Sequence, residues 1–381
     1  MDFDLNDEQR LLQDSVGKLI AAECTMGRGK PQAAASLGWS RKLWAQFADI
    51  GLLGLPFAEA DGGSGGGPVE TMIVMEAFGR GLVLEPYFAT VVLCGGLLRR
   101  AASAAQRTAL VPRIADGSLL LAFAWMERQS RDDPADVATT ARRDGGAFIL
   151  SGEKSLVLHG DAADKFIVTA RLAGGRRESA GIGAFLVDAA APGVQRRGYP
   201  TQDGLRAAEI SLAEVRVDAA DVLGEPGAAL PVVERVIDEA IAALCAESIG
   251  LMSAMQEITV DYLKTRRQFG RPIGEFQALQ HRAVDMFIAL EQARSMALFA
   301  TMMAGEPDAA ARRRAIAAAK VQIGRAGRKI GEEAVQLHGG IGMTMEHKIG
   351  HYFKRMTMNA RRFGDADQHL ATLARLGGLF D

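Results

Sequence analysis

Along the first third of the chain, apolar residues recur at helical spacing. Leu11, Leu12, Val16, Leu19 and Ile20 follow Asp7-Glu8-Gln9, and Asn6 is placed to cap that helix. The same period predicts helices over 40–50, 72–81, 87–100 and 104–115. Between Ser118 and about Glu225 the pattern changes to short β-rich stretches, at 119–125, 147–150, 155–158, 165–170, 182–188, 194–197, 209–212 and 215–217. Turns such as Asp144-Gly145-Gly146 and Ser151-Gly152 separate them, which predicts an antiparallel sandwich or barrel. After Gly224-Glu225-Pro226-Gly227 helical spacing returns, with one very long helix over 230–267 and others over 276–304, 309–337, 347–361 and 365–376. Long helices with short connections predict a bundle. The fold class is therefore α+β: an N-terminal helical domain over 1–117, a middle β-barrel or sandwich domain over 118–225 and a C-terminal four-helix bundle over 226–381.

Composition narrows the function classes. Of 381 residues 48% are apolar, which permits a large core, and the formal net charge of −2 argues against a nucleic-acid or anionic-membrane partner. No apolar run reaches the roughly 18–20 residues that a membrane span needs. Cys24, Cys94 and Cys245 lie far apart, so neither a disulfide framework nor a metal site is expected. The acidic start Met1-Asp2-Phe3-Asp4-Leu5 has neither a secretory nor a transit pattern, and the expected location is cytoplasmic.

Two stretches stand out chemically. In Lys264–His281, Arg266, Arg267 and Arg271 crowd a helix end, Gly270 and Pro272 interrupt it, and Phe269 and Phe276 are apolar anchors. Guanidinium forks grip phosphate oxygens, and a helix beginning near Ile273 would add unpaired N–H groups. The plain alternative is a basic turn that complements a helix dipole. The glycine run Asp61–Pro68 lacks the Lys-Ser/Thr end of a P-loop, and its expected role is a mobile loop at a pocket entrance.

Taken together, this architecture and two motifs resemble the acyl-CoA dehydrogenase family. Arg266, Phe269, Gly270, Ile273, Phe276 and Gln277 are similar to its Arg-x-x-Phe-Gly-x-x-Ile-x-x-Phe-Gln signature, and Gln336, Gly339, Gly340 and Gly342 to its Gln-x-x-Gly-Gly-x-Gly loop. More narrowly, Cys245-Ala246-Glu247 and Phe363-Gly364-Asp365-Ala366-Asp367 resemble the small subunits of bacterial heteromeric members of the pimeloyl-CoA dehydrogenase type. The resemblance implies FAD as cofactor, with its pyrophosphate near Arg266 and flanked by Gln268 and Phe269. Arg266 would serve the FAD of a neighbouring subunit, and Gln336, Gly339 and Gly340 would approach the cofactor from the other side. Trp125 and Met126 occupy the place of a hydroxyl-rich strand that meets the flavin, and Leu158 lies in a second. The flavin-bonding hydroxyls of the family are missing there, so backbone N–H groups would have to serve.

Oxidising an acyl-CoA needs a positioned carboxylate to take the proton beside the thioester. In the place where most members carry a glutamate this chain has Phe363, and at the family's second placement Ala240. At about 100° per residue, Ile237, Ile241, Leu244, Leu251, Met255 and Tyr262 form the apolar stripe of the long helix. Glu239 and Glu257 point away from the stripe, and Glu247 lies at its edge. Glu247 is the candidate base, weighed against an ion pair with an arginine on a neighbouring helix. Asp365 is the second candidate, weighed against a helix cap. His338 and His281 read as structural or cofactor-adjacent polar groups. The expected reaction forms a trans-2-enoyl-CoA and passes electrons to an electron-transfer flavoprotein, in a homotetramer or an α2β2 tetramer with a homologous subunit. The alternatives are a non-catalytic or half-site partner subunit, and a flavin oxidase.

Overall fold

The computed structural model describes residues 4–24 and 38–377; Met1, Asp2 and Phe3, read above as part of an acidic start, lie outside them. Packing divides the chain into a helical unit drawn from 1–29, 68–83 and 241–381, and a sheet unit drawn from 30–67 and 84–240.

In the sheet unit, Ser40 caps helix α2 (Arg41–Asp49), and a capping box of Ser103 and Gln106 opens α5 (Ala104–Ala115). Between them, the helix predicted over 87–100 is a π-helix over Phe88–Cys94 that runs into α4 (Gly95–Ala101). Its Thr90 hydroxyl donates to the Leu121 carbonyl at 3.0 Å, joining this segment to the first strand.

The strands are β1 (Leu121–Ala124), β2 (Thr140–Asp144), β3 (Ala147–Leu158), β4 (Lys165–Arg171), β5 (Ile182–Asp188), β6 (Val194–Pro200), β7 (Arg206–Asp218) and β8 (Val222–Leu223). They form one sheet in the order β6-β7-β3-β2-β4-β5-β8, with β1 added on β4. The sheet is mixed, because β1 runs parallel to β4 and β2 meets β4 in parallel. Antiparallel neighbours alone had been expected. The fully buried β1 is separated from β4 by the β2–β3 hairpin, and that long connection allows parallel pairing. Strand β2 escaped the pattern because Ala141 is its one buried residue, leaving no alternation to detect. Two predicted stretches fuse into β3, which bulges twice against β7. Phe148, Phe166 and Phe185 lie at the heart of this core.

The glycine run is not a mobile loop. Its amides at Gly63, Ser64, Gly65 and Gly66 donate to the carbonyls of Ala58, Gly54, Phe57 and Leu55 at 2.7–3.3 Å. A Cβ at Gly63 would stand 2.2 Å from the Phe57 carbonyl oxygen, so only glycine permits this approach. With those amides spent on carbonyls, the run has no phosphate cradle to offer.

In the helical unit, Asn6 and Gln9 form a capping box at the start of α1 (Asp7–Glu23). This helix packs on α3 (Pro68–Gly81). The long helix α6 (Leu230–Thr265) enters the unit at Ile241 and crosses α3 with almost no separation. A Cβ at Gly79 would meet the Glu247 carbonyl oxygen at 2.0 Å, and one at Gly250 would meet that of Glu76 at 2.0 Å. The paired helices α7 (Gln277–Met303) and α8 (Ala309–His338) follow, and α9 (Lys348–Arg361) and α10 (Ala366–Arg375) pack on α8. No helix among the described residues is long and apolar enough to cross a membrane.

Candidate functional site

The two sequence motifs follow helix ends that touch each other in the helical unit, through Tyr262 and His338. Helix α6 ends at Thr265, and the chain then makes a tight hairpin, pairing Arg267-Gln268 with Arg271-Pro272. Phe269 and Gly270 turn it with φ of 55° and 80°, the left-handed pair that such turns require. The expected exposed turn between two helices is thus a β-hairpin. The Ile273 amide is not free for a ligand either, since it donates to the Arg266 carbonyl at 2.8 Å, and a 3-10 turn precedes α7. Phe269 is 90% exposed, edge-on to Phe276, over which Arg271 lies at 4.4 Å. Arg266 and Gln268 are exposed, and the Arg266 guanidinium has no partner among the described residues.

Helix α8 closes at His338 and Gly339-Gly340 begins a 3-10 turn. Gln336, Gly339 and Gly340 are exposed, and nothing lies within 4 Å of where a Cβ would stand at either glycine. The link between the motifs is aromatic: Tyr262 of α6 stacks on His338 at 4.5 Å, and His347 lies 4.6 Å from His338. His338 Nδ1 is 2.7 Å from the Ala334 carbonyl, which can only accept, so Nδ1 carries the hydrogen and Nε2 is left buried without a partner. Burial, aided by the neighbouring His347, moves its pKa below the ordinary histidine value and favours the neutral ring. Neither Tyr262 nor His347 had been singled out as a site residue.

Glu247 sits where α3 and α6 cross. Its Oε1 accepts from Arg355 Nη1 at 2.9 Å, and both side chains are at most 6% exposed. The same Nη1 donates to the Val83 carbonyl at 3.1 Å. The stripe argument that selected Glu247 does not describe this helix. Residues 240–255 are buried on every face, so facing carries no information about function there. Glu257 is solvated, as expected, and pairs with Arg80 at 2.8 Å. Glu239 is not, because its carboxylate is held by Arg99, Arg100 and Arg235 in the sheet unit. Arg355 was missed in the sequence, although α9 shows a signal. Its buried face is Ile349, Tyr352, Arg355, Met356 and Asn359, and an arginine on an apolar face needs an acid.

Asp365 is the N-cap of α10. Its Oδ1 accepts from the amides of Asp367 and Gln368, and its Oδ2 from Arg361 at 3.1 Å. Phe363, the residue before Gly364, is buried with φ of 56°, and its carbonyl oxygen is 2.8 Å from His369 Nε2.

In the sheet unit, Trp125 is buried and Met126 and Leu158 are half-buried. Lys154, with no exposure, donates to the Trp125 carbonyl at 3.4 Å and to Glu127 Oε1 at 2.7 Å. Burial raises the Glu127 carboxyl, but the charge and hydrogen bond of Lys154, with those of Gln129 and Thr139, outweigh it and hold the group at about 2. Burial also draws Lys154 down to about 8 against the pull of Glu127. Lys154 went unnoticed in the sequence, although a lysine between Leu150 and Val157 of a buried strand was the available signal. Among the described residues no cluster of His, Cys, Asp or Glu is arranged to hold a metal.

The comparisons agree along nearly the whole chain. Family models described as the acyl-CoA dehydrogenase N-terminal, middle and C-terminal domains match residues 6–118, 122–219 and 230–377. A mitochondrial isovaleryl-CoA dehydrogenase of Oryza sativa subsp. japonica is 30% identical over 366 residues, 94% of this chain and 87% of that protein. Among solved structures, the ChsE4-ChsE5 complex from Mycobacterium tuberculosis is 27% identical with a TM-score of 0.89, covering 98% of both chains. The FAD complex of PigA is 26% identical with a TM-score of 0.89, covering 100% of both. Helical segments on either side of a mixed sheet in the sequence, matched end to end, define an oxidoreductase of the flavin-dependent class. The chain belongs to the acyl-CoA dehydrogenase family.

Proposed function

We propose that this chain is a subunit of an FAD-dependent enzyme that oxidises an acyl-CoA to the trans-2-enoyl-CoA and delivers the electrons to an electron-transfer flavoprotein. The observation that carries the reading is the stack of Tyr262 on His338 between the two motifs, with an unengaged Arg266 guanidinium and open backbone at Gly339-Gly340. Those residues fit a dinucleotide: a free guanidinium suits a pyrophosphate, and glycine without neighbours admits a flat group against the main chain. Arg266, Gln268, Phe269, Gln336, Gly339 and Gly340 would hold the dinucleotide of a neighbouring subunit's FAD, and Trp125, Met126 and Leu158 would meet the ring of this chain's own. FAD, when bound, supplies the hydride acceptor. Because Arg266 and the hairpin stand exposed on the single chain, their ligand is proposed to belong to a neighbouring subunit in a tetramer.

Glu247 is the proposed base for the proton beside the thioester. Among the described residues Arg355 is its one donor, through Oε1, which leaves Oε2 without a protein partner. Asp365 is the weaker candidate, since its oxygens cap α10.

A second reading is favoured by the same pair. Proton uptake by Glu247 would leave the Arg355 cation buried opposite a neutral acid, which is costly. In that reading the chain is a half-site subunit of the heteromeric, pimeloyl-type arrangement, completing a homologous partner's flavin site through Arg266. Glu247→Gln in the assembled, flavin-loaded enzyme separates the two. If Glu247 is the base, turnover falls at least a hundredfold with flavin retained; unchanged turnover removes Glu247 from the chemistry. Counting flavin per chain, with and without a homologous partner, then tests the half-site reading, for which one flavin per two chains is expected.

A further inference from the structure

Lys154 spends its three donors inside the sheet unit: on Glu127 Oε1 at 2.7 Å, Thr169 Oγ1 at 3.2 Å and the Trp125 carbonyl at 3.4 Å. Glu127 in turn accepts from the Thr139 amide at 3.1 Å on Oε1, and from the Ala138 amide at 2.9 Å and Gln129 Nε2 at 2.7 Å on Oε2. One ammonium therefore ties the residues after β1, the middle of β3 and the middle of β4, and its counter-ion ties the segment leading into β2. A buried pair so fully satisfied defines one geometry sharply, because any displacement leaves charged groups short of partners in a low dielectric.

Strand β3 changes register at this point. Ser155 donates its amide to the Met126 carbonyl at 2.8 Å, Leu156 takes a φ of 52°, and pairing with β7 resumes at Val157 and Leu158 after a bulge. A slip of one residue would turn Leu158 to the opposite face of the sheet. Apolar packing alone tolerates such slips poorly but does not forbid them, whereas a lysine locked one residue before the bulge does. None of Trp125, Met126, Leu156, Val157 and Leu158 carries a hydroxyl. A ligand met by these strands is met by backbone groups and apolar surface, whose placement depends on what lies beneath.

We infer that Lys154 and Glu127 are positioning residues for the flavin, their pair setting the backbone at Trp125-Met126 and the bulge that aims Leu158. The inference rests on the proposal above that these three residues meet the ring.

The test is FAD titration of the flavin-stripped, assembled protein, with three readouts: dissociation constant, visible absorption bands of the bound flavin, and unfolding midpoint without flavin. The variant of choice is the double replacement Glu127→Gln with Lys154→Met, which leaves no buried charge behind. It is expected to fold, to bind FAD at least tenfold more weakly and to shift the flavin bands. Wild-type affinity and spectrum in that variant would overturn the inference and leave the pair a structural brace only. Should the double variant not fold, Thr169→Val removes one acceptor at constant volume. A two- to fivefold weaker affinity with a displaced spectrum supports positioning, and no change overturns it. Met126→Asp and Leu158→Asp separate the two layers of argument. If they leave FAD affinity unchanged, the ring-facing assignment fails and the inference with it. If they abolish binding while the double variant binds normally, only the positioning role fails.

Discussion

In each unit of the molecule an acid is buried against a base, Glu127 with Lys154 and Glu247 with Arg355, and the two pairs are built differently. Glu127 receives donors on both oxygens from Lys154, Gln129, Ala138 and Thr139. Glu247 receives Arg355 on a single oxygen. Burial is the same, 4% exposure for each acid, so burial by itself does not distinguish a brace from a candidate reactive group. The number of donors does. A carboxylate with every lone pair engaged is held for geometry, whereas one with an oxygen to spare is able to meet a proton.

Stability measurements put the largest strain on that comparison. Lys154→Met leaves Glu127 with its three neutral donors but no counter-charge and is expected to cost about 3–5 kcal/mol, read from the denaturant midpoint of flavin-free protein. Arg355→Met leaves Glu247 buried with no other donor among the described residues and is expected to cost at least as much, about 3–5 kcal/mol. A much smaller loss in Arg355→Met than in Lys154→Met would mean that Glu247 is the less tightly committed acid.

Acid titration gives a somewhat smaller effect. The Glu127 carboxyl is held at about 2 in the folded chain, below its ordinary value of 4.5. Between those values the unfolded chain binds more protons, so stability declines as pH falls through the window, by no more than about 3 kcal/mol. Glu127→Gln should flatten that part of the stability curve. A curve that keeps its slope in Glu127→Gln would assign the acid sensitivity elsewhere.

The smallest effect is expected at the sequence's second candidate base. Asp365→Ala removes an N-cap and should lower stability by about 1 kcal/mol. Lost turnover at that modest cost would move the base from Glu247 to Asp365.

Much of the fold was legible from residue spacing because the signals are local. Asn6, Ser40 and Ser103 cap helices over the residues that follow them, and the apolar period survives in most helices. The failures have local causes too. Two positive-φ residues, Phe269 and Gly270, convert a predicted helix end into a hairpin. Four carbonyls from residues 54–58 pin a glycine run that composition alone reads as mobile.

What the sequence determined by itself is the order of helices, sheet and helices, the family motifs and the absence of an acid at Phe363 and Ala240. Each of these is a matter of residue type at a position or of a short period along the chain. Only the tertiary structure decided that Glu247 faces Arg355, that Lys154 bonds the Trp125 carbonyl, and that Tyr262, just before one motif, stacks on His338 of the other. These pairings join residues far apart in the chain, on a helix buried all round and on a strand that shifts register. In such places neither period nor propensity says which way a side chain points, and the desolvation of each charge selects its partner instead.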